Sequence, residues 1–147
     1  MSNSSLMIGF FPENINIESL KKYAELNYKS SVQKITEISI NCCYIGFGSK
    51  RDDCDFNHDI EELPEETIIL SINTPIFNKS IDNISNSNVK YLTLHMDYKR
   101  KINKLPKNLK YLNVPFLKIK NFTLKIPKSV DKIILQDNTN QKCNTPY

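Results

Sequence analysis

Phe56-Asn57-His58-Asp59-Ile60-Glu61-Glu62-Leu63-Pro64 is answered 21 residues later by Phe77-Asn78-Lys79-Ser80-Ile81-Asp82-Asn83-Ile84-Ser85. A second step of 21 residues reaches Tyr98, Ile102, Leu105 and Pro106, and a third reaches Ile119, Thr123, Ile126 and Pro127. The column Leu63, Ile84, Leu105, Ile126 is apolar throughout. The column Pro64, Ser85, Pro106, Pro127 leaves proline once. Each corner is followed by a second pattern, apolar-x-x-apolar-x-apolar. It reads Thr67, Leu70, Ile72; Val89, Leu92, Leu94; Leu109, Leu112, Val114; and Val130, Ile133, Leu135, with Thr67 as the one polar member. An earlier copy reads Ile35, Ile38, Ile40. The last two apolar residues of each set alternate with an outward position, so each set is a strand of about four residues.

A fixed period of this length is the mark of a repeat architecture. One strand per 21 residues leaves about 15 residues to run around the back and return. A single coil cannot bury its Leu/Ile face, but stacked coils make a parallel sheet and a continuous apolar interior. Proline sits just ahead of each strand, where no ladder N–H is yet required. Phe56, Phe77 and Tyr98 are placed to fill the space between sheet and return segment.

The motif Phe-Asn-x-x-Ile-x-x-(Leu/Ile)-(Pro/Ser), followed by the strand pattern, resembles the FNIP repeats. These are leucine-rich-repeat relatives found in giant amoeba viruses and slime moulds. The resemblance spans residues 32–137, with Lys99 and Lys120 replacing Asn in the later back segments. It implies an α/β-type repeat solenoid, leucine-rich-repeat-like. Short parallel strands, one per 21-residue coil, would be joined by irregular return segments, with a helix capping the N-terminus. Many members of the family carry an N-terminal F-box. Residues 1–31 lack its apolar pattern, so ligase recruitment is not carried over.

Three regions follow. Residues 1–31 form an N-terminal cap with one helix, 32–137 a solenoid of about five coils, and 138–147 a polar tail. The helix is expected over 14–28, with Asn14 or Asn16 as N-cap and Glu18 in its first turn. Ile17, Leu20, Tyr23 and Ala24 form its apolar face. The tail is loosely ordered or folds over the last strand edge. An insertion at 41–55 interrupts the first coil. It carries Cys42, Cys43, Cys54 and an acidic run. Zinc ligation by these cysteines with His58 is disfavoured, because adjacent cysteines are an unusual ligand pair and no C-x-x-C knuckle is present. No metal or cofactor is expected.

Hydrophobic residues make up 39% of the 147 and charged residues 24%, the balance of a globular domain. Ala24 is the only alanine, so long helices have weak intrinsic support. Neither a signal peptide nor a membrane span is legible, and the irregular cysteines fit a reducing, cytoplasmic setting. For a viral member this would be the host cytoplasm. Charge is uneven. Residues 1–73 hold 6 Lys/Arg against 12 Asp/Glu, a balance of −6, and residues 74–147 hold 14 against 4, a balance of +10. The densest basic run is Lys99, Arg100, Lys101, Lys104, Lys107 and Lys110. It reads either as solvated repeat edges or as a nucleic-acid patch.

The catalytic inventory is thin. His58 and His95 fall in different columns, no serine sits in a nucleophile elbow, and Glu61/Glu62 and Glu65/Glu66 flank a corner. The expectation is a non-enzymatic module that binds a protein partner through its sheet face. Nucleic-acid binding through the basic half and self-assembly are the alternatives. The outward positions Tyr91, Thr93, His95, Tyr111 and Asn113 are the candidate contact residues. Tyr91 and Tyr111 should be neighbours there, and tyrosine offers contact area at low entropic cost. Ile134 and Lys132 are also placed outward on the last strand.

Overall fold

The strand sets alternate in burial as their pattern requires. In the computed structural model Leu70, Ile72, Leu92, Leu94 and Leu112 are wholly buried, with half-exposed residues between them. Each such side chain contributes about 1.5–3 kcal/mol on leaving water. The structure describes residues 3–8, 11–27, 34–41, 56–95, 97–115, 126–136 and 142–146.

Among the described residues seven strands form one sheet in chain order: β1 (Asn3–Ile8), β2 (Lys34–Asn41), β3 (Ile69–Asn73), β4 (Tyr91–Leu94), β5 (Tyr111–Pro115), β6 (Lys132–Gln136) and β7 (Lys142–Pro146). Strands β1 to β6 are parallel, and β7 pairs antiparallel with β6. A helix, α1 (Ile17–Asn27), lies between β1 and β2. The remaining described connections are irregular apart from a short 3-10 helix at Asp82–Asn86. No helix among the described residues is long and apolar enough to cross a membrane.

Proline corners explain how the chain turns into each strand. The carbonyls of Pro64, Pro106 and Pro127 accept hydrogen bonds from the N–H groups of Thr67, Leu109 and Val130, at 3.0, 3.3 and 3.2 Å. Each is a tight turn that needs no N–H from the proline itself. Where Ser85 stands instead, the 3-10 helix forms the corner. That corner is one residue longer: Ile84 to Val89 is 5 residues, whereas Leu63 to Thr67 is 4.

On the back of the molecule Phe56, Phe77 and Tyr98 stack face to face. Ring centroids are 5.6 and 5.7 Å apart, at interplanar angles of 13° and 14°. The buried Tyr98 hydroxyl donates to the Lys79 carbonyl at 2.8 Å, so the one polar atom of the stack is satisfied. Among the described residues no buried side-chain polar atom lacks a partner.

The N-terminal region holds more than the expected helix. Strand β1 pairs with β2, placing Leu6 beside Ile38 and Ile8 beside Ile40. Phe11 then meets Phe56 edge-on at 6.3 Å, and Ile15 makes a parallel bridge to Ile60. Residues 3–8 and 11–15 thus supply a strand and back segment like those that follow. The helix is shorter than the expected 14–28, and its cap is Asn16. Asn16 Oδ1 accepts from the Ser19 N–H, and Ser19 Oγ accepts from the Asn16 N–H, a reciprocal capping box. Leu20 and Ala24 face the core. Of the two outcomes open for the tail, residues 142–146 take the second, covering the β6 edge. The insertion at 41–55, with Cys42, Cys43 and Cys54, lies outside the described residues beyond Asn41.

Candidate interaction face

Pleating puts alternate residues of every strand on the side away from the core. Registry aligns them in rows across the sheet. One row is Glu37, Ile69, Tyr91, Tyr111, Lys132, and the next is Ser39, Ser71, Thr93, Asn113, Ile134. Most of these side chains are half-exposed, and Tyr91 is 42% exposed. Parallel sheets are usually covered on both sides, so a half-open face is a surface with capacity for a partner.

The structure brings the two expected tyrosines together. Tyr91 and Tyr111 are paired residues on β4 and β5, with ring centroids 6.3 Å apart and planes tilted by 41°. Thr93 and Asn113 form the adjacent pair of the next row. His95 is the next alternate position after Thr93. It lies past the end of β4, four residues or about 13 Å along the chain from Tyr91. Its Nδ1 accepts a hydrogen bond from the Asp97 N–H at 3.0 Å and sits 3.5 Å from the Asp97 carboxylate, so the ring is engaged in its own loop. Ile134, expected outward and open, is 9% exposed and so is buried. It lies on the penultimate strand, flanked by β5 and β7 rather than at a free edge.

Sequence reasoning missed an amide ladder on β2 and β3. Asn73 Nδ2 donates to Asn41 Oδ1 at 3.0 Å and to Ser71 Oγ at 2.8 Å, while Asn41 Nδ2 donates to Ser39 Oγ at 3.0 Å. The repeated Ser-x-Asn of β2 and β3 was the available signal.

A second polar cluster occupies the back. Asp82 accepts from the N–H and Nδ2 of Asn103, at 3.0 and 2.9 Å, and from the N–H of Lys104 at 3.2 Å. Burial acts to raise its pKa, but these hydrogen bonds outweigh burial and hold the carboxyl below its ordinary 3.8. Asn57 Oδ1 accepts from the Asn78 N–H in the same 21-residue step. These are braces between successive back segments.

Lys99, Arg100, Lys101, Lys104, Lys107 and Lys110 are all exposed. They run from the back segment after Tyr98, past the Pro106 corner, to the residue before β5. They therefore follow the chain around one unit rather than converging on one face. His58 packs edge-on against Phe56 at 5.7 Å.

A scan against protein-family models and searches of curated proteins and of solved structures returned no match to this chain.

Proposed function

We propose that the chain is a short leucine-rich-repeat-like solenoid related to the FNIP repeats, and that it works in the cytoplasm as a non-enzymatic module binding a protein through its sheet face. The Tyr91–Tyr111 pair carries this reading. Two large amphipathic rings lie side by side on a half-open parallel sheet, next to Thr93 and Asn113. Such rings dominate interface energetics because they bury much area for little lost rotamer freedom. Strictly sequential strand order and braces at 21-residue steps support the solenoid reading. The local engagement of both histidines, one against Phe56 and one against Asp97, supports a non-catalytic role.

The test is affinity capture from the native cellular background, comparing the wild-type chain with a Tyr91→Ala/Tyr111→Ala variant. The variant should lose the captured protein while its circular dichroism is unchanged. The same proteins retained by both chains would remove the reading. Nucleic-acid binding is the weaker alternative, because the basic side chains are spread around a unit. It requires retention on DNA or RNA with a steep salt dependence.

A further inference from the structure

The tyrosine row has a feature that an interaction face does not require. It begins with an acid and ends with a base: Glu37 on β2, then Ile69, Tyr91, Tyr111, and Lys132 on β6. Tyr91 is the middle member. Such a row is complementary to itself turned around. Building on the sheet face as an interaction surface, we propose that its occupant is the same face of a second copy of this chain, related by a two-fold axis along β4.

That operation places Glu37 of each copy over Lys132 of the other, giving two ion pairs per dimer. It sets Ile69 over Tyr111 and Tyr91 over Tyr91. In the neighbouring row it sets Ser71 over Asn113 and Thr93 over Thr93, neutral groups able to exchange hydrogen bonds. Ser39 meets Ile134. No charge in either row faces its like, as an isologous contact demands. Within one chain Glu37 and Lys132 are separated by four strand spacings, about 19 Å, which is beyond the screening length at physiological salt. They cannot neutralise each other in the monomer, but can do so across the axis. Glu37 accepts from the Ser5 hydroxyl at 3.3 Å, a contact that leaves its charge uncompensated.

The contact is small. Five strands by five residues give about 24 by 16 Å, so the two copies together cover under roughly 1,000 Å², at the low end for specific association. Dimerisation is therefore concentration-dependent, with Kd in the micromolar range, and weakens with added salt.

The experiment is sedimentation velocity of the full chain over a concentration series, with Glu37→Lys, Lys132→Glu and the double reversal. The wild type should move from monomer to dimer as concentration rises. Each single reversal should weaken dimerisation at least tenfold, and the double reversal should restore it. A wild type that stays monomeric throughout overturns the proposal, as do single reversals that dimerise normally. So does a double reversal that stays monomeric with unaltered circular dichroism. If the wild type is monomeric while the Tyr91/Tyr111 pair still governs capture of a foreign protein, only the dimer fails. If capture is also indifferent to the tyrosines, the interaction face fails with it.

Discussion

Asp82 shows how a single side chain ties one repeat unit to the next. Its carboxylate takes hydrogen bonds from two successive backbone N–H groups and one amide, all 21 or 22 residues further along. Charge-assisted bonds of this kind are worth more than neutral ones. Replacing Asp82 by Asn should cost about 1–2 kcal/mol at neutral pH. The sign with pH follows from the depressed pKa. The contribution is full above the unfolded value near 3.8 and is lost as pH falls through the lower folded value. Denaturant midpoints of the wild type and Asp82→Asn should therefore converge as pH falls below 3.8. A gap that stays constant from neutral pH downward means the charge is not its source. None of this was legible beforehand. The spacing of Asp82 and Asn103 is plain, but spacing does not report that a carboxylate reaches main-chain donors. The Asn41–Asn73 ladder, by contrast, had a signal in the repeated Ser-x-Asn of β2 and β3.

The back segments behave as a stacked element whose unit is an aromatic ring. Phe77 is the middle ring, touching Phe56 on one side and Tyr98 on the other. Phe77→Ala opens a cavity in the interior and removes both contacts, and should cost about 3–5 kcal/mol, measurable by chemical denaturation. That is a large share of the roughly 5–15 kcal/mol that holds a domain together. A loss under 1 kcal/mol would show that the stack is not structural. Strands β3 to β6 and these rings were legible because burial repeats there with nearly constant period, and β2 because Ile35, Ile38 and Ile40 copy the same apolar-x-x-apolar-x-apolar pattern. Leu70, Leu92, Leu112 and Ile133 stand opposite one another at intervals of 22, 20 and 21 residues. Strand β1 escaped because Asn3 stands where the apolar-x-x-apolar-x-apolar pattern would place its first apolar member, and α1 rather than a short return follows it. The spacing Phe11-x-x-x-Ile15, matching Phe56 to Ile60 and Phe77 to Ile81, was the clue. Strand β7 escaped because Lys142–Pro146 is polar, with no apolar alternation to read.

At the scale of the whole molecule, the strand order turns sequence position into spatial position. The described residues of the acidic first half and of the basic second half thus lie towards opposite ends of one sheet. Glu37 and Lys132 are that gradient as it appears on the tyrosine face. The tyrosine pair was legible since two-residue alternation fixes the face and the repeat fixes the neighbour. His95, the next alternate position after Thr93, lies just past the end of β4 and is hydrogen-bonded to Asp97. Each strand meets only the strands before and after it, so a unit can be copied without disturbing distant contacts. A chain with residues 92–111 duplicated in place should fold with one more strand and a higher Tm, because each added interface contributes its own stability. Precipitation or a lower Tm would argue that the units are not interchangeable. The reversed direction of β7 sets the other limit. Every parallel strand leaves behind an edge on which the next copy of the motif can be laid, so growth by tandem duplication has no natural stopping length. Where β7 lies antiparallel against β6 that edge is already taken, so a duplicated unit finds room inside the parallel stack, and beyond β6 only if β7 gives up its pairing.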